Sequence, residues 1–455
     1  MNATAVLVCR DAELDVALPG VSVAVVDHLC EDHAAAGAAL RALGADRVVL
    51  GLCSRRASSE HLAALRRAGA APFGVTSVVI GGTAPNAAAL LLRAAVARLE
   101  ALAPAEHGRP RRPTGEMSRR ALFSLASSAV EHAPVAVIDA AACIGTTRCS
   151  VCVPACPEQA IDAAGPAPGV DTAACTACGL CVRSCPVGAI RLAGSSLAQV
   201  EAQLTAVLPD VIGVIFACAA TRPRAAPGWA LIELPTLALV TPGWILQMRA
   251  RGTEVKLVGC GRSCCAGIEE VEALADLIAA NASAGDERRD APVRLAEPFA
   301  TADGSLALAG PEADLVADHA ASPLGVVDLD TDRCTLCGAC GTACPTRALE
   351  FEHTTDGDVL RLAPGACVGC GRCAEVCPEA ALGIRRGIDI ARLRAGEVEL
   401  MSAAQERCTR CGSELPPRAM RRRVRELLGR SGGSLELCSR CTVSMNRSIE
   451  KERST

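Results

Sequence analysis

The chain is nearly devoid of aromatic side chains, which make up 2% of its 455 residues, with five Phe, two Trp and no Tyr. It also lacks a charge excess: 46 Lys and Arg stand against 50 Asp and Glu, a formal net charge of −4. That balance excludes nucleic-acid binding driven by a basic surface. No apolar run reaches the ~18 residues that mark a membrane span, and the N-terminus lacks a basic stretch leading into an apolar one. Also missing is any G-x-G-x-x-G after a strand; Gly259-Cys260-Gly261-Arg262-Ser263-Cys264 comes closest and fails at its last position. The phosphate-cradling turn of FAD and NAD enzymes is therefore not expected. What is abundant is cysteine, with 27 residues in tight groups rather than scattered pairs. In a long chain without a secretory signal this favours metal ligation over disulfides and a cytoplasmic setting.

Hydrophobic residues, mostly Ala, Val and Leu, reach 50%, and at about 150 residues per domain the length suggests three or more domains. Residues 1–104 alternate short apolar runs, at 5–8, 21–26 and 47–50, with helical patterns at 34–43, 60–68 and 87–102. Such alternation predicts a parallel sheet covered by helices. Residues 105–135 read as a polar linker. Within it Ser118-Arg119-Arg120-Ala121-Leu122-Phe123 has the look of a twin-arginine export box, but lies far from the N-terminus and is read as linker running into helix. A Cys-rich module follows at 136–195, then a second parallel-sheet α/β domain at 196–285. The latter has strands at 211–216, 230–234 and 255–258 and helices at 244–251 and 269–280. Residues 286–325 read as a second linker, 326–388 as a second Cys-rich module, and 389–455 as a tail with two Cys pairs. The modules repeat: Cys143 and Cys334 are 191 positions apart, Cys175 and Cys367 192.

Three complete cluster-binding runs stand out: Cys175-x2-Cys178-x2-Cys181-x3-Cys185-Pro186, Cys334-x2-Cys337-x2-Cys340-x3-Cys344-Pro345 and Cys367-x2-Cys370-x2-Cys373-x3-Cys377-Pro378. A tight loop with this spacing wraps three thiolates around one face of a cubane, and the Pro turns the chain away after the fourth. Zinc sites favour separated Cys pairs instead. The run Cys143-x5-Cys149-x2-Cys152-x3-Cys156-Pro157 carries three extra residues, so a bulge must return Cys143 to the cluster; a three-iron or labile cluster is the alternative there. Ala160-Ile161, Ala189-Ile190, Ala348-Leu349 and Ala381-Leu382 follow the four Cys-Pro steps.

On these residues each module resembles the bacterial two-cluster [4Fe-4S] ferredoxins, a resemblance that implies a polyferredoxin with α+β modules alternating with α/β domains. The resemblance implies four [4Fe-4S] clusters and exchange of the fourth cysteine between motifs. Cys143, Cys149 and Cys152 would then share a cluster with Cys185, and Cys175, Cys178 and Cys181 with Cys156. In the second module Cys334, Cys337 and Cys340 would pair with Cys377, and Cys367, Cys370 and Cys373 with Cys344.

Cys9, Cys30 and Cys53 each lie at or after the C-terminal end of an expected parallel strand, the edge where ligands usually bind; buried free thiols are the plainer reading. Residues 5–80 resemble the N-terminal region of the heterodisulfide reductase A subunit on Val6-Leu7-Val8-Cys9, His28-Leu29-Cys30 and the stretch from Asp46 through Leu52-Cys53-Ser54-Arg55. That resemblance implies an extra cluster, although one Cys expected beside Cys9 is absent. Residues 211–280 look like the iron–sulfur delta subunit of methyl-viologen-reducing hydrogenase. The carriers are Phe216-Ala217-Cys218, Val240-Thr241-Pro242-Gly243 and Val258-Gly259-Cys260-Gly261-Arg262-Ser263-Cys264-Cys265. A [2Fe-2S] centre on Cys218, Cys260 and Cys264 is implied, since adjacent Cys264 and Cys265 are not expected to ligate together easily. In the tail, Cys408-x2-Cys411 and Cys438-x2-Cys441 form a zinc-ribbon arrangement, with a rubredoxin-like iron as the alternative. Between them Arg418, Arg421, Arg422, Arg423 and Arg425 make a solvated helix face or a docking patch for an acidic protein.

These expectations describe an electron-transfer subunit that relays single electrons to redox partner proteins: a hydrogenase, a flavoprotein or a heterodisulfide-reductase-like subunit. A flavin-dependent enzyme subunit and an iron–sulfur redox sensor are the alternatives. No catalytic residue, nucleic-acid partner or membrane span is expected.

Overall fold

A computed structural model describes residues 4–14, 17–53, 57–102, 109–110, 132–185, 187–221, 223–265, 267–280, 293, 295, 315–319, 322, 324–429 and 435–444. The Ser118–Phe123 segment, most of both expected linkers, and Ser54 and Arg55 beside Cys53 lie outside the described residues. The chain divides into two compact units, Met1–Ala279 with Ala284–Ala300, and Thr301–Thr455 with Ala280–Ser283.

In the first unit, β1 (Thr4–Cys9), β2 (Ser22–Val26), β3 (Arg47–Leu52) and β4 (Val75–Val79) form an all-parallel sheet in the order β2-β1-β3-β4. Residues 5–9 of β1 and all of β3 are buried, as central parallel strands with helices on both faces must be, and hence read as near-continuous apolar runs, broken in β3 only by Arg47. On one face Leu7, Leu50 and Leu52 meet Leu40 of α1 (His33–Leu43) and Leu65 of α2 (Ser59–Arg67). On the other, Val6, Val8 and Val49 meet Leu92, Val96 and Leu99 of α3 (Pro85–Glu100). Asp32 caps α1 by accepting from the Ala35 N–H at 2.9 Å, and Gly44 ends it in the left-handed region at φ 63°. Strand β4 was not expected from the sequence: Thr76 and Ser77 break its apolar run, and as an edge strand it is only half buried.

Two short antiparallel pairs occur next, β5 (Arg109–Pro110) with β6 (His132–Ala133) and, in the first Cys-rich module, β7 (Ala136–Ile138) with β10 (Ile190–Leu192). Inside the latter pair lie β8 (Ile161–Asp162), β9 (Gly169–Val170) and α4 (Leu180–Ser184). Then α5 (Leu197–Val207) leads into a parallel sheet of order β12-β11-β13, with β11 (Gly213–Cys218), β12 (Trp229–Leu234) and β13 (Glu254–Val258). Helices α6 (Pro242–Arg249) and α7 (Ile268–Ala280) complete this domain. The sequence pattern did not single out α5, because buried Gln199 and Gln203 interrupt its apolar stripe. Gln199 instead donates to the Arg98 carbonyl at 3.2 Å, and Arg93 bonds Asp210 at 2.7 Å, joining α3 to the α5 region.

The second unit repeats the module. Strands β15 (Gly325–Leu329) and β18 (Leu382–Asp389) pair antiparallel outside, and β16 (Leu349–His353) and β17 (Gly357–Leu362) pair between the two cysteine runs. Helices α8 (Ala339–Ala343) and α9 (Arg372–Glu375) follow the motif loops. Ordered elements also occur in the stretches read from the sequence as second linker and tail. The end of the second linker is an ordered strand, β14 (Val316–Asp318), paired with β18 through Ala317 and Ile388. Within residues 389–455, α10 (Ile390–Ala395) is followed by β19 (Val398–Ala404), which pairs with β17. Hairpin β20 (Glu406–Arg407) and β21 (Glu414–Leu415) and helix α11 (Arg418–Leu427) form the rest. Among the described residues no helix is long and apolar enough to cross a membrane.

Arg47 is 6% exposed, and its guanidinium donates to the carbonyls of Leu99 (2.7 Å), Glu100 (3.1 Å) and Leu102 (2.9 Å), satisfying the last turn of α3. Replacing it as Arg47→Met should cost about 1–3 kcal/mol. Hydrogen exchange should show lost protection at the end of α3 while the iron content of the chain is unchanged.

Candidate metal centres

Three of the four cysteine runs begin with the same device, an aspartate four residues before the first cysteine. Asp139, Asp171 and Asp330 accept N–H bonds of 2.9, 2.8 and 3.0 Å from the residues two further on, and their own carbonyls accept from the N–H groups of Cys143, Cys175 and Cys334. This Asx turn aims the first thiol. The Asp-x3-Cys signal is present in the sequence but escaped its reading. In the complete runs the residue before the second Cys takes positive φ (Ala177 58°, Leu336 53°, Gly369 60°), as does the glycine after it (Gly179 76°, Gly338 73°, Gly371 78°). The run at Cys143 has no such glycine; its turn is at Gly145, φ 85°, inside the extra segment.

All four runs end alike. The residue three after the last cysteine is left-handed in each: Gln159 at 51°, Gly188 at 63°, Arg347 at 57° and Ala380 at 46°. That turn points the following backbone at the thiol. Cys156 accepts from Ala160 N–H at 3.2 Å, Cys185 from Ala189 at 3.2 Å, Cys344 from Leu349 at 3.5 Å and Cys377 from Ala381 at 3.3 Å. The irregular first run therefore shares the complete terminal geometry.

The thiols assemble across motifs. Cys334, Cys337, Cys340 and Cys377 line one small cavity with Leu336, Phe351 and Leu382. Cys175, Cys178, Cys181 and Cys156 line another with Ile161 and Leu192. Burial pushes the thiols of Cys152 and Cys340 up to about 11 and those of Cys181 and Cys373 up to about 12. Facing thiols add to this. Cys152 feels Cys149, Cys185 and Cys143; Cys181 feels Cys178, Cys175 and Cys156; Cys373 feels Cys367, Cys370 and Cys344. Each fourth cysteine thus faces the triplet of the other run. An apolar pocket that resists thiolate formation, yet offers four thiols and N–H donors aimed at sulfur, suits a cationic iron–sulfur core.

Elsewhere three further groups converge. Cys9 ends β1, Cys30 follows β2 and Cys53 follows β3, and their Sγ atoms lie within 4.8 Å of one another. Cys30 and Cys53 are 2.7 Å apart, and burial with that contact raises Cys30 to about 12. His61, 2% exposed, holds the loop through the Leu29 carbonyl at 2.7 Å.

The second group differs from expectation. Cys218, Cys260 and Cys264 gather within 4.8 Å, and so does Cys265, which was not expected to ligate easily beside Cys264. The 3-10 turn Ser263–Cys265 swings successive side chains by about 120°, while Gly261 at φ 71° folds the loop back, so both reach the site. Cys260 is 3.3 Å from Cys264 and 3.5 Å from Cys265, which are 3.8 Å apart.

In the tail, Cys408, Cys411, Cys438 and Cys441 also lie within 4.8 Å of one another. Cys408 accepts from the Cys438 N–H at 3.3 Å, and that bond helps lower its thiol to about 6. Of the arginines of α11, Arg421 pairs with Glu406, and Arg423 with Glu379 at 2.8 Å. These two anchor the helix rather than offering a free docking patch.

Gly179 sits between two sites. A Cβ there would stand 2.6 Å from Thr236 Cγ2, and Thr236, fully buried, donates its hydroxyl to the Cys264 carbonyl. Gly371→Ala faces only left-handed strain, with nothing within 4 Å of its Cβ, whereas Gly179→Ala adds a clash. Gly179→Ala should lose about four irons per chain on anaerobic reconstitution, and Gly371→Ala distinctly fewer.

Comparison with known families finds a 4Fe-4S dicluster domain at residues 333–381 and a 4Fe-4S binding domain at 168–191. No curated protein matches the chain. The first match spans both runs of the second module, the second only the run from Cys175. The Cys143 run rests on the shared geometry described above. The chain carries two 4Fe-4S ferredoxin-type domains.

Proposed function

We propose that this protein is a cytoplasmic polyferredoxin, an electron-transfer subunit passing single electrons within a hydrogenase- or heterodisulfide-reductase-type complex. The observation that carries the reading is the meeting of each fourth cysteine with the opposite triplet, twice over. The sixteen residues are Cys143, Cys149, Cys152 with Cys185; Cys175, Cys178, Cys181 with Cys156; Cys334, Cys337, Cys340 with Cys377; and Cys367, Cys370, Cys373 with Cys344. When bound, a [4Fe-4S] cluster supplies one-electron redox chemistry with a potential set by charge, hydrogen bonds to sulfur and solvent exposure. The chain's own part is to hold the thiolates, exclude water with Leu336, Phe351 and Leu382, and aim N–H groups at sulfur. The donor, acceptor and partners belong to the same proposal, supported by the sequence resemblances of the α/β domains. The tail quartet is assigned to zinc, whose tetrahedral thiolate sites are closed and structural.

Anaerobic reconstitution should give about 16 irons per chain; eight or fewer would leave only one module loaded and end the proposal. The shared ligation has its own test in paired substitutions. Cys185→Ala with Cys149→Ala should damage one cluster, and Cys185→Ala with Cys178→Ala should damage two, as counted by iron and low-temperature electron paramagnetic resonance. Damage to a single cluster in the second pair would mean that each run binds its own.

A further inference from the structure

Four thiols at one sheet edge can hold a cluster or a lone ion, and their spacing decides which. A tetrahedral ion with metal–sulfur bonds of about 2.3 Å sets its sulfurs about 3.8 Å apart. Around Cys260 and its neighbours the separations are 3.3, 3.5 and 3.8 Å, and all four sulfurs, Cys218 included, lie within 4.8 Å of one another. The [2Fe-2S] centre implied by the hydrogenase-subunit resemblance binds two thiolates on each iron and places a rhomb of two irons and two sulfides between the pairs. Sulfurs of opposite pairs must then stand apart by the iron–iron separation as well, and this quartet leaves no room for it. The residues do not fit that group.

The contrast is internal to the molecule. Among the described residues, the sixteen ferredoxin-motif thiols do not draw together in this way, whereas the Cys9, Cys30 and Cys53 triad does, and so does the tail quartet, the other group of four, with its zinc-type pairs. The Cys218 quartet belongs with the tail. Its backbone agrees: Cys218 ends the central strand β11, Cys260 follows the neighbouring β13, and Cys264 and Cys265 return on a single tight turn. Adjacent cysteines on one short turn reach one ion from two sides more readily than they bracket an extended rhomb.

We infer that Cys218, Cys260, Cys264 and Cys265 bind a single tetrahedral zinc ion, a second zinc site of this chain. Zinc is chosen over ferrous iron because sites of a given ligand set bind it more tightly in the divalent series. The inference does not depend on the electron-relay reading.

The test uses the full chain, purified and reconstituted anaerobically with both metals, and counts metals per chain. About two zinc ions are expected, one at each close quartet. Cys260→Ser with Cys264→Ser should remove one zinc and leave the iron count and the visible cluster absorption unchanged. Because that variant can fail by misfolding, a second one leaves the site intact: Cys408→Ser with Cys411→Ser, which empties the tail. It should retain one zinc, whose X-ray absorption shows four sulfur neighbours at about 2.3 Å. Loss of two irons with partial bleaching in the first variant would overturn the proposal in favour of a [2Fe-2S] centre. Loss of one iron with zinc unchanged, or a tail variant free of zinc, would overturn it equally.

Discussion

The constraint on which the rest depends is the cost of bringing four thiolates together away from water. Each buried sulfur resists losing its proton, as the rise of Cys181 and Cys373 to about 12 shows, and each neighbour adds repulsion. Only a strongly cationic core relieves both at once. The ferredoxin modules are otherwise slight: short antiparallel pairs in the first, two three-stranded sheets in the second, a modest apolar core and single-turn helices. Much of what orders them has to come from the metal, and the polypeptide is arranged to receive it. N–H groups aimed at Cys156, Cys185, Cys344 and Cys377 give partial positive charge to sulfurs that carry negative charge once bound.

That arrangement also explains how the irregular run at Cys143 fits. Its extra residues sit between the first and second cysteines, where Thr147 and Arg148 are exposed, and the left-handed turn at Gly145 accommodates them. The aspartate before Cys143 and the left-handed Gln159 after Cys156 keep the two ends of the run in the form shared by the others. An insertion between Cys152 and Cys156 would instead disturb the turn that carries Cys156 to the neighbouring triplet.

Much of this was legible in the sequence. Three of the four strands of the first sheet were read from apolar runs, since buried central strands such as β3 carry no polar side chain after Arg47. The cysteine runs were read from spacing, because a loop around a cubane tolerates few spacings. Elements that trade apolar burial for hydrogen bonds were missed: β4 with Thr76 and Ser77, and α5 with Gln199 and Gln203. Strand β19 was missed for another reason. Its pairing partner, β17, lies well upstream, and no local pattern announces a long-range partner. Cys265 was set aside because adjacent cysteines do not easily ligate together, yet the 3-10 turn brings its sulfur to the same group.

The two kinds of thiol site differ in how the backbone delivers sulfur, and this explains why they sit side by side. A ferredoxin run wraps its thiols around a volume, so the loop itself fixes their spread. In the α/β domain, sulfur arrives from neighbouring strand ends β11 and β13, and adjacent parallel strands bring Cys218 and Cys260 close without any loop between them. Thr236 joins the two designs. Its methyl group stands over Gly179, in the loop that presents Cys178 and Cys181, while its hydroxyl holds the carbonyl of Cys264. The Arg183 guanidinium lies near Gly267 on the far side of the same turn. The close quartet therefore anchors the surface on which a cluster loop rests. A closed tetrahedral site on this quartet, as inferred above, would suit that mechanical role, because its geometry would not change with the redox state of a neighbouring cluster.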